Sequence, residues 1–340
     1  MFSVVIPLYN KSHTIVGTVK SVLAQDLPDF ELIIVNDGST DDGPKKVDNM
    51  FSDPRVTLIH QEHQGVSAAR NRGVASANSQ LIAFLDGDDL WFPAYLTRMK
   101  QAADEFPNAG MYCCAGYVLY PDGSGIVRHS PAHGSKSREV DFFQNPSFFG
   151  HTSFTVVRKS HFNLVGGFPV GMEHFEDHTF FHALALETSV VFCPTPLGIV
   201  HKGFSGQASN DTSTAHIDHV DKTNAVYGRN AETQDSTFIG YTLHDLRCNI
   251  LTYLIRRDYA KVRLILDRLD PRLAMRLNRF ERLIYRIPVF RPAAILWIYG
   301  HKCTRRIRRY PRVIRTENLI PHLPPTYAGR VAEPDTTGKS

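Results

Sequence analysis

The feature that most constrains the fold is a regular alternation of short apolar segments with amphipathic segments over the first 110 residues. The apolar segments have the length and the β-branched content of buried strands. They are Ser3–Leu8, Phe30–Val35, Val56–Ile59 and Leu81–Leu85. Strands that alternate with helices and are apolar on both faces are typical of a parallel sheet covered on both sides. The sequence therefore predicts an α/β fold with a mostly parallel sheet flanked by helices.

Polar residues cluster where these strands end, and ligands of open α/β sheets bind beyond the carboxyl ends of the strands. The densest cluster is Asp86-Gly87-Asp88-Asp89, with three carboxylates in four positions. Hard oxygen ligands in an open loop suit Mg²⁺ or Mn²⁺ that keeps water ligands and binds a substrate diphosphate. A solvated turn that caps the next helix explains the same residues. The spacing alone leaves both interpretations open.

Several common enzyme classes find no support in the sequence. There is no GxxxxGK[ST] loop, no GxGxxG after the first strand and no GxSxG elbow, which disfavours P-loop NTPases, dinucleotide dehydrogenases and α/β-hydrolases. A nucleotidyltransferase is disfavoured because no glycine-rich loop with Arg or Lys lies near the amino terminus. The five cysteines are odd in number and form no CxxC pair. They predict neither a disulfide framework nor a structural zinc site, and they favour a reducing cytoplasm.

Charge is segregated along the chain. Residues 1–230 hold 17 basic and 24 acidic side chains, a net charge of −7, whereas residues 231–340 hold 21 basic and 10 acidic side chains, a net charge of +11. Ten basic residues and no acidic residue lie in Arg282–Thr316. This segment has three interpretations: an interfacial anchor drawn to anionic lipids, a surface for an acidic acceptor, or an exposed face packed on the rest of the protein. No apolar run reaches the roughly 18–20 residues of a membrane-spanning helix, and no known module supports nucleic-acid binding.

Five segments, in their order and spacing, resemble the family 2 inverting glycosyltransferases. They are Ser3–Asn10 (SVVIPLYN), Ser21–Gln25 (SVLAQ), Ile33–Asp41 (IIVNDGSTD), Gly65–Gly73 (GVSAARNRG) and Ala83–Asp89 (AFLDGDD). Further along, Gly166-Gly167-Phe168 with Glu176-Asp177 is similar to the acceptor-side motif of that family. The resemblance extends over residues 1 to about 205. It implies the GT-A fold, a nucleotide-diphospho-sugar donor and a single displacement that inverts the anomeric centre.

The resemblance implies donor-binding roles for five residues. Pro7 and Tyr9 would line the nucleobase pocket, Tyr9 by stacking. Asp37 would hydrogen-bond the base or the ribose. Arg70 would lie near the base and Asp86 near the ribose. Structural alternatives exist for four of them: Pro7 ends a strand, Tyr9 is a core aromatic, Asp37 forms an Asx-turn with the following glycine, and Arg70 pairs with an acidic neighbour.

The resemblance also implies a catalytic base and a metal site. Asp177 would be the general base that takes the proton of the acceptor hydroxyl; the alternative is that Glu176 and Asp177 only favour the dipole of a helix that begins there. Asp88 would hold Mn²⁺ or Mg²⁺ beside the diphosphate, with Asp89 supporting the loop. His201 would complete the metal site, although it is one of sixteen histidines.

Four regions are predicted: residues 1–110 form the nucleotide-sugar-binding half of the GT-A domain, residues 111–230 the acceptor-binding half, residues 231–320 a basic helical extension, and residues 321–340 a flexible tail. In the acceptor half, strands are expected at Gly110–Tyr120 and Thr152–Val157. In the extension, two sets of apolar residues are spaced to share a helix face. They are Leu243, Leu246, Ile250 and Leu254, and then Leu273, Leu277, Phe280, Ile284 and Ile287.

The resemblance thus implies a metal-dependent inverting glycosyltransferase. It would move a sugar from a nucleotide-diphospho-sugar, a UDP-sugar above all, to a hydroxyl of a glycan or lipid-linked acceptor in cell-surface polysaccharide synthesis. The expected location is the cytoplasm, with peripheral contact at the inner face of the cytoplasmic membrane. The competing interpretation is a non-catalytic nucleotide-sugar-binding or membrane-tethered scaffold of the same fold. The presence of Asp37, Asp88 and Asp177 argues against it.

Overall fold

The computed structural model describes residues 1–128, 136–144, 151–203, 215–229, 236–287, 290, 292–298 and 314–316. The strands are β1 Phe2–Leu8, β2 Phe30–Asp37, β3 Val56–Gln61, β4 Leu81–Phe84, β5 Leu90–Trp91, β6 Met111–Leu119, β7 Gly125–Arg128, β8 Arg138–Val140, β9 Thr155–Arg158, β10 Val190–His201 and β11 Ile314–Thr316. The helices are α1 Ile15–Leu23, α2 Gly43–Met50, α3 Val66–Ser76, α4 Tyr95–Glu105, α5 Lys159–Val165, α6 Glu176–Glu187, α7 Ala215–Arg229, α8 Ser236–Ile255, α9 Tyr259–Arg268, α10 Pro271–Arg276, α11 Arg279–Arg286 and α12 over residues 292–298.

One mixed sheet organises the first two thirds of the chain. The strands β3, β2, β1 and β4 are neighbours in that order and are parallel, which confirms the predicted α/β core. Beyond β4 the sheet changes direction, because β9 pairs antiparallel with both β4 and β6. The strand β10 then pairs parallel with β6. The expected strand Thr152–Val157 was wrong at its start, since Thr152–Phe154 is a 3₁₀ turn and the strand begins at Thr155.

Apolar side chains cover the sheet on both faces. On one face the rings of Phe84 and Phe168 meet edge to face with centroids 5.2 Å apart, and on the other the rings of Trp91 and Tyr95 stack at 3.9 Å. The helix α3 packs closely on β1. A Cβ atom added at Gly73 would come within 2.3 Å of a Val5 methyl carbon. This close packing sets the position of α3 relative to the ends of the parallel strands.

The described residues from 215 to 298 are mostly helical, β11 adds a short strand beside β7, and the first predicted apolar face is present. Leu246, Ile250 and Leu254 are buried on α8. The second predicted face was wrong, because its residues do not lie on one continuous helix. The helix α10 ends at Arg276 and α11 begins at Arg279. Asn278 begins α11 with a capping box, in which its side chain accepts from the Glu281 N–H and the Glu281 side chain accepts from the Asn278 N–H. This break leaves Phe280 49% exposed.

Other sequence predictions concern membrane spans, the cysteines and the carboxyl-terminal region. None of the helices in the described ranges combines the length and the apolar character needed to cross a membrane. Cys113, Cys114, Cys193 and Cys248 are free thiols, while Cys303 lies outside the described residues. The predicted tail, residues 321–340, and most of the arginine-rich part of the extension also lie outside them. The four predicted region boundaries stay predictions.

Candidate active site

A buried arginine connects the acidic loop after β4 with the start of α6. Arg70, on α3, is 3% exposed. Its Nη2 donates to Asp86 Oδ1 at 2.8 Å, and its Nη1 donates to Glu176 Oε1 at 3.0 Å. Its guanidinium carbon also lies 5.0 Å from the centre of the Phe168 ring. Arg70 thus makes the pairing with acidic neighbours that one interpretation expects, with Glu176 among its partners, and its place near the base stays a prediction.

Asn71, the next residue of α3, holds the Gly166-Gly167-Phe168 segment in place. Its side-chain amide donates to the Phe168 carbonyl at 2.8 Å and accepts from the Phe168 N–H at 2.9 Å. Gly166 and Gly167 precede this contact with φ values of +84° and +74°, which are favourable only for glycine. The GVSAARNRG and GGF segments, far apart in sequence, are therefore joined by paired hydrogen bonds.

Burial and the neighbouring charges shift the pKa values of the residues in this cluster. Burial disfavours the charged guanidinium, but Asp86 and Glu176 outweigh burial and raise the pKa of Arg70. Burial likewise disfavours the charged Asp86 carboxylate, but Arg70 outweighs it and lowers the pKa of Asp86. At Glu176, burial and the neighbouring charge of Asp177 prevail over Arg70 and raise the pKa to about 7. The cluster thus combines Asp86, whose carboxylate stays charged, with Glu176, whose pKa lies near neutral pH.

Asp177 is the second residue of α6 and is half-buried. Its Oδ1 accepts from the His178 N–H at 2.7 Å. The charge of Asp177 acts on both Glu176 and Arg70, so it belongs to the same cluster. Three predicted site residues, Arg70, Asp86 and Asp177, are therefore brought together at the carboxyl end of the parallel strands, and Glu176 joins them.

The acidic loop itself is tied to the end of β10. The Asp88 carbonyl lies 2.6 Å from His201 Nδ1. Asp89 is buried and accepts from the His201 N–H at 3.0 Å and from the Ser153 hydroxyl. Burial, followed by the charges of Asp88 and Asp86, raises the pKa of Asp89 well above its usual range. Asp89 therefore supports the loop, as expected.

Lys11 pairs with Asp88. Its Nζ lies 2.7 Å from Asp88 Oδ2, and both side chains are only about 15% exposed. This residue was not among the predicted site residues, although its place directly after Tyr9-Asn10, at the end of β1, puts it at the ligand-binding edge of the sheet. The positive charge of Lys11 thus lies next to Asp88, the carboxylate that is expected to bind metal.

The donor set at Asp88 and His201 fits a divalent metal that is shared with a substrate. A histidine ligand commonly donates its other ring N–H to a backbone carbonyl, and the contact of His201 Nδ1 with the Asp88 carbonyl has that form. Burial lowers the pKa of His201, which favours the neutral imidazole that a metal needs. Within the described ranges, three grouped donor side chains occur only at Glu173, His174 and Asp218. A metal at Asp88 would therefore need ligands from the substrate and from water.

The predicted nucleobase residues lie at the ends of β1 and β2. Tyr9 is 42% exposed, and its ring stacks on that of His63 with centroids 4.1 Å apart. Pro7 is half-buried inside β1, paired in register with Val35 of β2, and therefore does not end the strand. His63, a residue that no motif singled out, extends the aromatic surface of Tyr9.

Asp37 is 2% exposed and is surrounded by donors from the end of β3 and the loop that follows it. Its carboxylate accepts from Gln61 Nε2 at 2.7 Å and from the N–H groups of Gln64 and Gly65 at 2.9 Å each. The Asx-turn expected for Asp37 is not among the described hydrogen bonds, and Asn36 Oδ1 instead accepts from the Ser39 N–H, three residues on, at 3.0 Å. Asp37 thus shapes the loop under Tyr9 and His63. A contact of Asp37 with the base or ribose stays a prediction.

Comparisons with known proteins agree with this architecture. Residues 3–166 match the family model Glycosyl transferase family 2. An uncharacterized glycosyltransferase of Rickettsia bellii is 40% identical over 90 residues, which are 26% of this chain and 13% of that protein. The Escherichia coli UDP-Glc:alpha-D-GlcNAc-diphosphoundecaprenol beta-1,3-glucosyltransferase WfgD is 40% identical over 92 residues, 27% of this chain and 36% of that protein. The chain thus matches only a small part of the length of these relatives.

The likeness in structure extends further along the chain. The crystal structure of S. aureus TarS 1-349 in complex with UDP-GlcNAc superposes with a TM-score of 0.67, over 92% of this chain and 93% of that one, at 16% identity. At that identity the likeness concerns the fold, and it includes the helical region after the sheet. Residues 3–166, just under half of the chain, thus form a glycosyl transferase family 2 domain, and the chain has the GT-A fold.

Proposed function

We propose that the chain is an inverting glycosyltransferase that moves a sugar from a UDP-sugar to a hydroxyl of a glycan or lipid-linked acceptor in cell-surface polysaccharide synthesis. The observation that carries the proposal is the Arg70 bridge, which joins the donor-side loop at Asp86 to the acceptor-side pair Glu176-Asp177. The UDP-GlcNAc complex of the TarS structure and the name of WfgD support a UDP-sugar donor, and the name of WfgD also supports a lipid-linked acceptor.

The residues divide the work as follows. The exposed face of Tyr9 stacks on the nucleobase. Asp177 accepts the proton of the acceptor hydroxyl through Oδ2, because Oδ1 is engaged by the His178 N–H. The acceptor oxygen forms its bond to the anomeric carbon while the bond to the nucleoside diphosphate breaks on the opposite face, so the configuration inverts. Arg70 and Glu176 hold the acidic loop and α6 in a fixed relative position during this step.

A divalent cation, Mn²⁺ or Mg²⁺, would be held by Asp88 and His201. When bound, it stabilises negative charge on the departing diphosphate as a Lewis acid. Lys11 Nζ, already beside Asp88, places a further positive charge from the protein at the same edge of the sheet.

The function is tested with a set of UDP-, GDP- and TDP-sugars, by following nucleoside diphosphate release with and without Mn²⁺ and by a thermal shift. Metal-dependent release from one donor supports the enzyme, and the anomeric configuration of the product, read by NMR, shows inversion. A thermal shift with a donor but no release, with any glycan or polyprenyl-diphosphate acceptor, would favour the non-catalytic scaffold instead.

Asp88→Asn is expected to weaken metal-dependent nucleotide binding while the fold survives. The amide is nearly isosteric but lacks the charge that a hard cation requires. Calorimetry with UDP, at increasing Mn²⁺, should show a much smaller gain in affinity than for the wild type. Asp104→Asn, on an exposed part of α4, is the matched control and should behave as the wild type. Unchanged metal dependence in Asp88→Asn would remove Asp88 from the site.

We further propose that the extension docks on the anionic cytoplasmic leaflet. The described part of the extension presents large apolar side chains to solvent, among them Phe280 at 49%, Leu283 at 50% and Leu296 at 71%. Exposed arginines of α11 flank Phe280 and Leu283 in the sequence, at Arg279, Arg282 and Arg286. Exposed apolar residues with arginines around them suit the boundary between lipid headgroups and acyl chains.

Liposome co-sedimentation tests this docking. Each basic residue near an anionic surface contributes about 1 kcal/mol, so binding should require anionic lipid and weaken with salt. It should disappear when Arg305, Arg306, Arg308 and Arg309, which lie outside the described residues, become Gln. Leu283→Gln with Leu296→Gln should weaken it too, whereas Met50→Gln, an exposed apolar residue of the catalytic half, should not. A wild-type protein that stays in the supernatant at low salt would contradict the proposal.

A further inference from the structure

A largely buried ionic group links α7 and α8 next to the start of α6. Lys222 of α7 places Nζ 2.6 Å from Asp245 Oδ2 of α8, and His219 Nε2 lies 3.2 Å from the same oxygen. Lys222 is 3% exposed and His219 is 4% exposed. Burial disfavours the charged carboxylate, but Lys222 and His219 outweigh burial and hold the pKa of Asp245 well below its usual range. This group belongs to no motif of the sequence.

Buried ionic groups are poor stabilisers, because apolar residues of similar volume often stabilise a fold equally well. The contacts of this group point to another role. Lys222 Nζ lies 5.4 Å from the centre of the Phe175 ring, and the His219 ring meets the same ring edge to face at 5.3 Å. A cation on an aromatic face and an edge-to-face pair both restrict where a ring can lie. Lys222 and His219 therefore both restrict the position of one side chain, Phe175.

Phe175 directly precedes Glu176 and Asp177, and its backbone is strained. Its φ is +63° and its ψ is 15°, a left-handed conformation that a bulky residue keeps only where its surroundings hold it. Its carbonyl accepts from the Thr179 N–H at 2.9 Å, in the first turn of α6. The preceding residue is held by α7 as well, since the His174 N–H donates to Asp218 Oδ2 at 3.2 Å.

We propose that Lys222, His219 and Asp245 are positioning residues for the Glu176-Asp177 pair and act through the ring of Phe175. The inference rests on the proposed role of Asp177 as general base. It makes α7 and α8 part of the machinery for transfer, although none of the three residues contacts Arg70 or the acidic loop in the described contacts. A change in this group should therefore lower kcat and leave donor affinity as it is.

The test is the double variant Lys222→Met with Asp245→Leu, which removes both charges together and leaves neither one buried alone. We expect normal folding, a UDP affinity within about two-fold of the wild type and a kcat lower by about 10-fold or more, since a small misplacement of a reacting group costs up to about 10²-fold. Hydrogen exchange of a peptide over residues 172–181 should become faster. Lys222→Arg keeps the cation and should keep most of the activity.

Two further variants make the outcome decisive. Phe175→Gly removes the ring, and glycine adopts the same φ without strain, so this variant should fold and lose kcat to a similar extent. Adding the Lys222 and Asp245 changes to Phe175→Gly should then have no further effect on kcat, because the coupling runs through the ring. Lys261→Met is the matched control: its Nζ lies 5.4 Å from the Tyr253 ring, the same distance as for Lys222 and Phe175, but on an exposed part of α9.

A wild-type kcat in the double variant, or a full further loss on top of Phe175→Gly, would overturn the proposal. Its failure can be told apart from failure of the proposed function. If Asp177→Asn transfers sugar at the wild-type rate while the double variant still speeds exchange over residues 172–181, the tie to Phe175 holds and the assignment of the base fails. If Asp177→Asn is inactive and the double variant changes neither exchange nor kcat, the positioning role fails alone.

Discussion

Asp177→Asn is expected to lower turnover by about 10²–10⁴-fold, the loss typical of a removed general base, while UDP affinity stays at the wild-type value. The amide keeps Oδ1, which accepts the His178 N–H at 2.7 Å, so the start of α6 is unchanged. It loses the charge and the basic Oδ2. Donor binding is spared because Asp177 is expected to contact the acceptor and not the nucleotide. Single-turnover transfer and calorimetry with UDP measure the two quantities separately.

Two variants of the same helix serve as controls for this experiment. Glu187→Gln changes an exposed carboxylate in the last turn of α6 and should leave transfer unaffected. Glu176→Gln keeps an oxygen that accepts from Arg70 and should reduce transfer far less than Asp177→Asn. If instead Glu176→Gln abolishes transfer and Asp177→Asn does not, the base is Glu176, whose pKa of about 7 suits proton transfer near neutral pH.

Arg70→Met is expected to destabilise the protein by about 3–5 kcal/mol, the cost of breaking a buried ion pair. The variant leaves Asp86 and Glu176 facing each other without the cation that now lies 2.8 Å and 3.0 Å from them. It should also bind UDP weakly, because the acidic loop and α6 lose their common partner. Chemical denaturation at neutral pH measures the stability. Arg72→Met, an exposed arginine two residues along the same helix, should change it by less than about 0.5 kcal/mol.

The pH dependence of this loss has a defined sign. The lowered pKa of Asp86 contributes stability that is present above its ordinary value of 3.8 and is lost as pH falls. The raised pKa of Glu176 works the other way: stability is full below 4.5 and is lost as pH rises through about 7. Without Arg70 the first contribution disappears and the repulsion between the carboxylates grows with ionisation. The deficit of Arg70→Met should therefore be largest near pH 8 and shrink toward pH 5. A deficit that is the same at both pH values would mean that packing, not charge, explains it.

Much of the fold could be predicted from the sequence because the signals are local. The parallel strands β1 to β4 were visible as short β-branched runs, and the polar turns after them indicated the ligand-binding edge. The family resemblance depends on the same local segments. Where a prediction failed, a local contact competed with the periodicity: the Asn278 capping box ends one helix face and starts another, and His151 begins a 3₁₀ turn where a strand was expected.

The partners of the site residues could not be predicted in this way, because they depend on how distant segments approach in space. Arg70 meets Glu176 across 106 positions and Lys11 meets Asp88 across 77, and no spacing rule links residues so far apart. The burial of Asp37 depends on the loop after β3, and the contacts of Phe175 with His219 and Lys222 depend on the packing of α7 against α6. Residue type and local pattern identify which side chains can do the chemistry. The packing of helices on a twisted sheet establishes which of them meet, which are shielded from water and which charge each one carries.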